Sequence, residues 1–191
     1  MRSIVVEGEP IHCAYLKDVF WEMGVPDEQL RLVETAISEE DGEGYFPVGN
    51  PREWWGQQLA PSDTDTRGFY WNDENDVDNL RIQEERVVVL SLRTLIEDEP
   101  IIDLISFDIQ NSEYHVIKGA TSPEGEGILD RVKTMVISTH ATDIEQKIFS
   151  MLCSHGWLLV FCMPVTYNHP DNLNIVNYLQ GQRTVREVTV R

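Results

Sequence analysis

Basic side chains are scarce in this sequence. The 191 residues include 15 Lys and Arg against 33 Asp and Glu, which gives a formal net charge of −18. Binding to nucleic acid or to an anionic membrane surface requires basic patches, because phosphate groups dominate those partners. The composition therefore predicts a protein that has neither nucleic acid nor membrane as a partner.

Long apolar runs are also missing. No stretch approaches the ~18 consecutive apolar residues of a membrane helix, and the run Ile4-Val5-Val6 is far too short for a signal peptide. A cytoplasmic location is therefore expected. None of the cysteines has CxxC spacing, which predicts neither a disulfide framework nor a metal site. We interpret all three as small buried hydrophobic side chains. They are Cys13, Cys153 and Cys162.

Several catalytic motifs are absent as well. There is no GxSxG nucleophile elbow, no phosphate-binding loop with a lysine and no HExxH helix, so hydrolase and kinase functions lack support. The acidic run Asp73–Asp78 lacks the turn glycine and the terminal glutamate of a calcium loop. We interpret that run as a solvated acidic loop.

The sequence does contain short β-branched runs that alternate with helical periods, as is typical of an α/β domain with a mostly parallel sheet. The length favours one domain over residues 1–191, with a long irregular loop at about 49–85. The last two strands are predicted to form an antiparallel pair. The predicted strands are Ser3–Glu7, Leu32–Ser38, Gly44–Val48, Arg86–Leu90, Ile101–Ile109, Val132–Thr139, Trp157–Met163 and Thr184–Val190. The predicted helices begin near Pro10, Thr94, Ser112 and Ile144.

Polar side chains follow three of these strands, and ligands of open α/β sheets bind beyond the carboxyl ends of strands. Glu7 follows the first strand and is either an acceptor for two ribose hydroxyls or a plain turn acid. Asp108 lies at the end of the strand Ile101–Ile109, where helix capping through Ser112 is the alternative to a binding role. His140 follows the next strand as a candidate general base or as a structural histidine.

Two tryptophans are adjacent in the long loop. Trp54 and Trp55 either both pack on the core, or one packs while the other lines a pocket.

The segment Ile102–Glu113, which reads IDLISFDIQNSE, and the following Val116–Ala120 resemble the central signature of the FkbM-type S-adenosylmethionine-dependent methyltransferases. Val6–Pro10 is similar to the family's acidic segment after its second strand, and Ala36–Ser38 to the segment after its third. The similarity continues through Thr139-His140, Ile144-Glu145 and Gly156-Trp157.

The resemblance implies a Rossmann-like class I methyltransferase sheet. It also implies transfer of a methyl group from S-adenosylmethionine to a small-molecule acceptor, such as an oxygen of a sugar or natural product. Glu7 would hold the cofactor ribose, Ala36 would border the adenine and Asp108 would lie near the methionine end. Asp108 or His140 would accept the proton of an acceptor hydroxyl. The residues expected to contact the acceptor are Gln110, Glu113 and Trp55.

Two features depart from the family pattern. Asn111 stands where the family usually has glycine, and asparagine tolerates the positive φ of such a corner. The family's first strand and its glycine-rich cofactor loop would precede Ile4, so the resemblance implies an N-terminally incomplete sheet. The chain alone is therefore expected to bind the cofactor weakly or not at all.

The missing strand leaves other interpretations open. One is a homo-oligomer or a separate chain that supplies the strand. Another is a non-catalytic binding module of the same fold, which contacts a partner through Asp73–Asp78 or through Trp54 and Trp55.

Overall fold

A computed structural model describes residues 2–48, 57–59, 83–139, 142–166 and 177–184. The predicted features at Trp54, Trp55, Asp73–Asp78 and His140 lie outside these residues. Among the helices that the structure describes, none is long and apolar enough to cross a membrane.

The described elements are nine strands and four α-helices, and the second to fifth strands follow one another directly. The strands are β1 (Ser3–Glu7), β2 (Leu30–Glu34), β3 (Ala36–Ser38), β4 (Gly42–Val48), β5 (Gln83–Ser91), β6 (Ile105–Phe107), β7 (Met135–Thr139), β8 (Leu158–Thr166) and β9 (Asn177–Thr184). The helices are α1 (Pro10–Glu22), α2 (Leu92–Leu95), α3 (Glu113–Thr121) and α4 (Thr142–Ser154). Short 3₁₀ turns occur at Asp27–Gln29, Pro123–Gly125 and Leu129–Arg131.

The chain divides into two compact units. The first comprises residues 1–37 and 41–90, and the second comprises residues 38–40 and 91–191. The organisation of the whole chain as one domain stays a prediction.

In the first unit, β1 and β2 form a parallel pair, with Glu7 opposite Glu34 at the carboxyl ends. The helix α1 connects the two strands. It begins at Pro10, whose fixed φ and missing N–H suit the first helical position. Gly24 follows the helix with a φ of 67°, which only glycine adopts at little cost.

A second sheet follows in the order β3-β5-β4, with β4 and β5 antiparallel. Ala36, Val87 and Val89 form a buried cluster there, and the half-buried side chains of Phe46 and Leu59 pack against it. This cluster is the apolar core that the described residues of the sheet share.

In the second unit, four strands form one sheet in the order β6-β7-β9-β8. β6 runs parallel to β7, and β9 runs antiparallel to both β7 and β8. The helix α3 packs against α4. Val116 and Ile117 of α3 and Met135 of β7 are fully buried, so they form the centre of this core.

The predicted α/β class is confirmed. Parallel pairing occurs between β1 and β2 and between β6 and β7, and the predicted antiparallel pair at the carboxyl-terminal end is β8 with β9. The helices predicted near Pro10, Thr94, Ser112 and Ile144 correspond to α1, α2, α3 and α4.

The prediction of a single strand over Leu32–Ser38 was wrong. The chain leaves β2 at Glu34 and enters β3 at Ala36, and the two strands belong to different sheets. Thr35 marks the change, because its buried hydroxyl donates to the carbonyl of Val88 in β5 at 2.7 Å. The local sequence of Leu32–Ser38 does not reveal such a switch of sheet.

The prediction of a long central strand over Ile101–Ile109 was also wrong. Only Ile105–Phe107 forms a strand, at the edge of its sheet, and Ile102 adds one isolated bridge to Val132. Between them, the exposed Asp103 carboxylate pairs with the Lys133 ammonium at 2.5 Å, in a bend that interrupts the strand.

The last strand that the structure describes begins earlier in the chain than the predicted last strand. Asn177–Thr184 forms β9. The predicted strand was Thr184–Val190, and all of its residues except Thr184 lie outside the described residues. The sequence of β9 is polar and lacks a β-branched run, so composition gave no signal. It nevertheless pairs with β7 on one side and with β8 on the other, because a ladder of hydrogen bonds uses only the backbone.

Candidate functional site

The turn between β1 and α1 carries two carboxylates within three residues. Glu7 is the last residue of β1, and Glu9 is the N-cap of α1. Both therefore lie at the carboxyl end of a parallel strand, where α/β folds place their ligands.

Glu9 is fully buried, with 0% of its surface exposed. Its Oε2 accepts a hydrogen bond from the backbone N–H of His12 at 2.5 Å, which caps the helix. Its Oε1 is also buried and has no hydrogen-bond partner among the described residues. A buried carboxylate oxygen without a donor is energetically costly, so this atom can accept a further hydrogen bond.

Glu7 braces the same turn and keeps part of its surface open. Its Oε1 accepts a hydrogen bond from the backbone N–H of Glu9 at 2.8 Å and lies 3.9 Å from His12 Nδ1. The Glu7 side chain is 26% exposed. The predicted role of Glu7 at the cofactor ribose stays a prediction. The alternative role, that of a turn acid, agrees with its contact to the Glu9 N–H.

Cys13 lies on α1, one turn beyond Glu9. Burial raises the pKa of its thiol above the usual value, and the nearby Glu34 and Glu7 carboxylates raise it further, whereas Lys17 opposes this. The thiol is therefore protonated at neutral pH and is a packing group rather than a nucleophile.

The interpretation of every cysteine as buried was wrong for one of them. Cys13 is buried as predicted, but Cys153 is exposed near the end of α4. The residue type of a cysteine in an amphipathic helix does not show whether its side chain is buried or exposed.

Ala36 begins β3 and is buried in the cluster with Val87 and Val89. The backbone passes close to the β1–α1 turn, because a Cβ atom at Gly8 would lie 3.4 Å from Ala36. Ala36 thus borders the turn that carries Glu7 and Glu9. Its role beside an adenine ring stays a prediction.

The second unit contains the other predicted group of polar residues, between β6 and α3. Asp108 directly follows β6 and is exposed. Gln110 and Asn111 both adopt a positive φ, of 47° and 70°. Asn111 therefore adopts the positive φ that it was predicted to tolerate. This conformation forms a tight corner that leads into α3.

Glu113 holds this corner together. It is fully buried in the first turn of α3, and its Oε1 accepts a hydrogen bond from the backbone N–H of Ile109 at 3.0 Å. Ser112 occupies the N-cap position without a capping hydrogen bond from its side chain. The helix entry therefore depends on Glu113, a contact that the sequence did not reveal. The predicted contacts of Gln110 and Glu113 with an acceptor molecule stay predictions.

Within the described residues, no group of three His, Cys, Asp or Glu side chains could hold a metal ion.

Comparison with protein families decides the assignment. The family model of the methyltransferase FkbM domain matches residues 5–183, which is nearly the whole chain. The chain belongs to the FkbM methyltransferase family. The predicted resemblance is confirmed, and the match includes both the β1–α1 turn and the segment around Asp108.

A curated relative supports the same family. A protein of Jannaschia sp. (strain CCS1) that carries the name "Putative methyltransferase" is 26% identical over 164 residues. The alignment covers 84% of this FkbM chain and 54% of the relative, so the chain spans about half the length of that protein.

A solved structure is also similar to this FkbM chain. It is a precorrin-6y C5,15-methyltransferase from Geobacter metallireducens GS-15, with 12% identity and a TM-score of 0.43. The alignment covers 96% of this chain and 67% of the solved one.

Glu9 is the residue that the sequence interpretation missed. Glutamate is not among the preferred N-cap residues, so its type did not indicate a cap. The position at the end of a strand favoured Glu7 instead. The signal that could have found it is Pro10, because proline at the first helical position makes the residue before it the cap.

Proposed function

We propose that this FkbM chain is a domain of an S-adenosylmethionine-dependent methyltransferase that acts on an oxygen of a sugar or another small natural product. The observation that carries the proposal is the buried Oε1 of Glu9, which has no donor among the described residues. The family assignment supports methyl transfer as the reaction, and the carboxylates of the β1–α1 turn support a cofactor that contains a nucleoside.

A nucleoside ribose suits this carboxylate. Its two hydroxyls are donors, and an acidic residue near the end of a parallel strand is the group that accepts from ribose in dinucleotide-binding folds. Glu9 Oε1 would accept one such bond. Glu7 has a second carboxylate oxygen beyond the one that braces the turn, and it would accept the other.

Bound S-adenosylmethionine would supply a methyl group already activated by its sulfonium. The residues of the protein would then align the acceptor with this methyl group and accept a proton from a hydroxyl nucleophile. Asp108 is the described residue proposed for proton acceptance, since it is exposed at a strand end. His140 remains the second proposed acceptor, and Gln110, Glu113 and Trp55 remain proposed contacts of the acceptor molecule.

The substitution Glu9→Gln tests the cofactor site. The amide oxygen of glutamine can still accept from the His12 N–H, so the helix cap is kept while the charge is lost. A hydrogen bond to a charged group is worth roughly 1.5–3 kcal/mol. We therefore expect the dissociation constant for S-adenosylhomocysteine to rise at least about tenfold in Glu9→Gln. NMR titration up to millimolar ligand measures it, because the chain alone is expected to bind weakly.

Glu28→Gln is the matched control. Glu28 lies in the exposed 3₁₀ turn before β2, so the substitution removes the same charge away from the β1–α1 turn. It should leave binding unchanged, and circular dichroism should show that both variants fold. Equal binding by wild-type protein and Glu9→Gln would contradict the proposed site.

A further inference from the structure

A cavity of ≈ 270 Å³ lies in the second unit, between α4 and the strands β7 and β8. Ile137 and Thr139 of β7 line it, and Thr139 is the last residue of that strand. The strand β7 runs parallel to β6. The cavity therefore reaches the carboxyl end of a parallel strand, where open α/β sheets bind their ligands.

The buried wall of the cavity is apolar. It includes Ile148 and Leu152 of α4 and Trp157 before β8. Burying an unpaired polar or charged group costs free energy, whereas burying a hydrocarbon surface is favourable. The wall therefore favours an uncharged, apolar ligand.

Two aromatic side chains line the cavity. Trp157 is buried, whereas Phe149 on α4 is 47% exposed. Aromatic rings attract one another in offset-stacked or edge-to-face arrangements, and this attraction adds to the effect of the area that they bury. The lining therefore favours an aromatic ligand over an aliphatic ligand of similar size.

Polar side chains contribute to the lining as well, namely Thr139, Glu145 and Gln146. Thr139 and Glu145 already have interactions within the chain, and Gln146 is exposed. None of the three is therefore assigned a hydrogen bond or an ion pair with the ligand. The class of the ligand follows from the apolar and aromatic side chains.

The volume of the cavity limits the size of the ligand. An apolar cavity of about 150 Å³, lined by aliphatic and aromatic side chains, is large enough to bind benzene. The cavity beside α4 is larger, at ≈ 270 Å³, so it has room for two fused rings.

We propose that this cavity binds an uncharged aromatic molecule of two fused rings. The rings lie against Ile148, Leu152 and Trp157, and Phe149 contacts them from the solvent side. The cavity belongs to the second unit, whereas the proposed ribose site belongs to the first. The two proposals can therefore fail independently.

Indole is the probe, and phenol and cyclooctanol are its comparisons. Phenol has a single ring, and cyclooctanol has as many carbon atoms as indole but no aromatic ring. NMR titration follows the side-chain N–H of Trp157 and the backbone amides of residues 146–153. We expect phenol to bind about fivefold more weakly than indole, because it buries less apolar area. Cyclooctanol should bind about threefold more weakly than indole, because it lacks the aromatic contacts.

Phe149→Leu removes one ring from the lining and keeps an apolar side chain there. It should weaken the binding of indole about threefold and change that of cyclooctanol by less than about twofold. Tyr15→Leu is the matched control, because Tyr15 is an exposed aromatic residue of α1 that does not line the cavity. It should leave both affinities unchanged, and circular dichroism should show that both variants fold.

Three results would overturn the proposal. The first is that millimolar indole shifts none of these resonances, and the second is that phenol or cyclooctanol binds as tightly as indole. The third is that dilution of the ligand-free protein shifts the same resonances, because this would show a second copy of the chain covering the cavity.

Discussion

At the scale of single residues, the corner between β6 and α3 contains backbone strain. Gln110 has a φ of 47°, although only glycine, asparagine and aspartate enter this region readily. Gln110→Gly should relieve this strain, which outweighs the greater freedom of glycine in the unfolded chain. We expect the free energy of unfolding to rise by about 0.5–1 kcal/mol, measured by urea denaturation.

Asn111→Gly is the comparison for that substitution. Asn111 has a φ of 70° but belongs to a residue type that tolerates it, so its replacement should stabilise less than Gln110→Gly. A loss of stability in Gln110→Gly would contradict the strain. The sequence predicted the positive φ at Asn111, since asparagine favours it, but nothing in a glutamine side chain predicted the second one.

At the scale of elements, α3 packs closely against Glu39, the residue after β3. A Cβ atom at Gly119 would overlap the backbone carbonyl of Glu39 and approach its Cα to 3.0 Å. Lys118 Nζ holds the same residue through an ion pair of 2.8 Å with the Glu39 carboxylate. Gly119 is thus the residue that lets the helix and this segment meet.

Gly119→Ala should lower the free energy of unfolding by at least about 1 kcal/mol, because overpacking costs about 1–3 kcal/mol and exceeds the helix propensity gained from alanine. Gly42→Ala is the control, since no atom of the described residues lies within 4 Å of the added Cβ. Its effect in the same urea measurement should stay within about 0.5 kcal/mol. Equal effects of the two substitutions would contradict close packing at Gly119.

Local patterns predicted the helices better than the sheets. The helix α1 follows from its spacing of apolar residues and from Pro10, which are both local signals. The separation of β2 from β3 depends instead on the contact between Thr35 and Val88, which are far apart in the sequence. The polar strand β9 is likewise defined by pairing with β7 and β8 rather than by its own residues.

At the scale of the whole molecule, the family match extends over residues 5–183, so the assignment does not depend on one motif. The site was predicted less completely. Glu7 and Asp108 were predicted because each lies at a strand end, whereas Glu9 becomes a candidate only from its burial and its oxygen without a donor. The charge of −18 is compatible with a ligand that carries a positive sulfonium.

Hydrogen exchange with S-adenosylhomocysteine tests the proposed nucleoside site most directly. Backbone amides of residues 8–13 should exchange more slowly with saturating ligand, because a ribose bound at Glu9 would restrain the start of α1. At the same ligand concentration the slowing should be smaller in Glu9→Gln, because this variant is expected to bind about tenfold more weakly. Unchanged exchange over residues 8–13 in the wild-type protein would contradict a nucleoside cofactor bound at the β1–α1 turn.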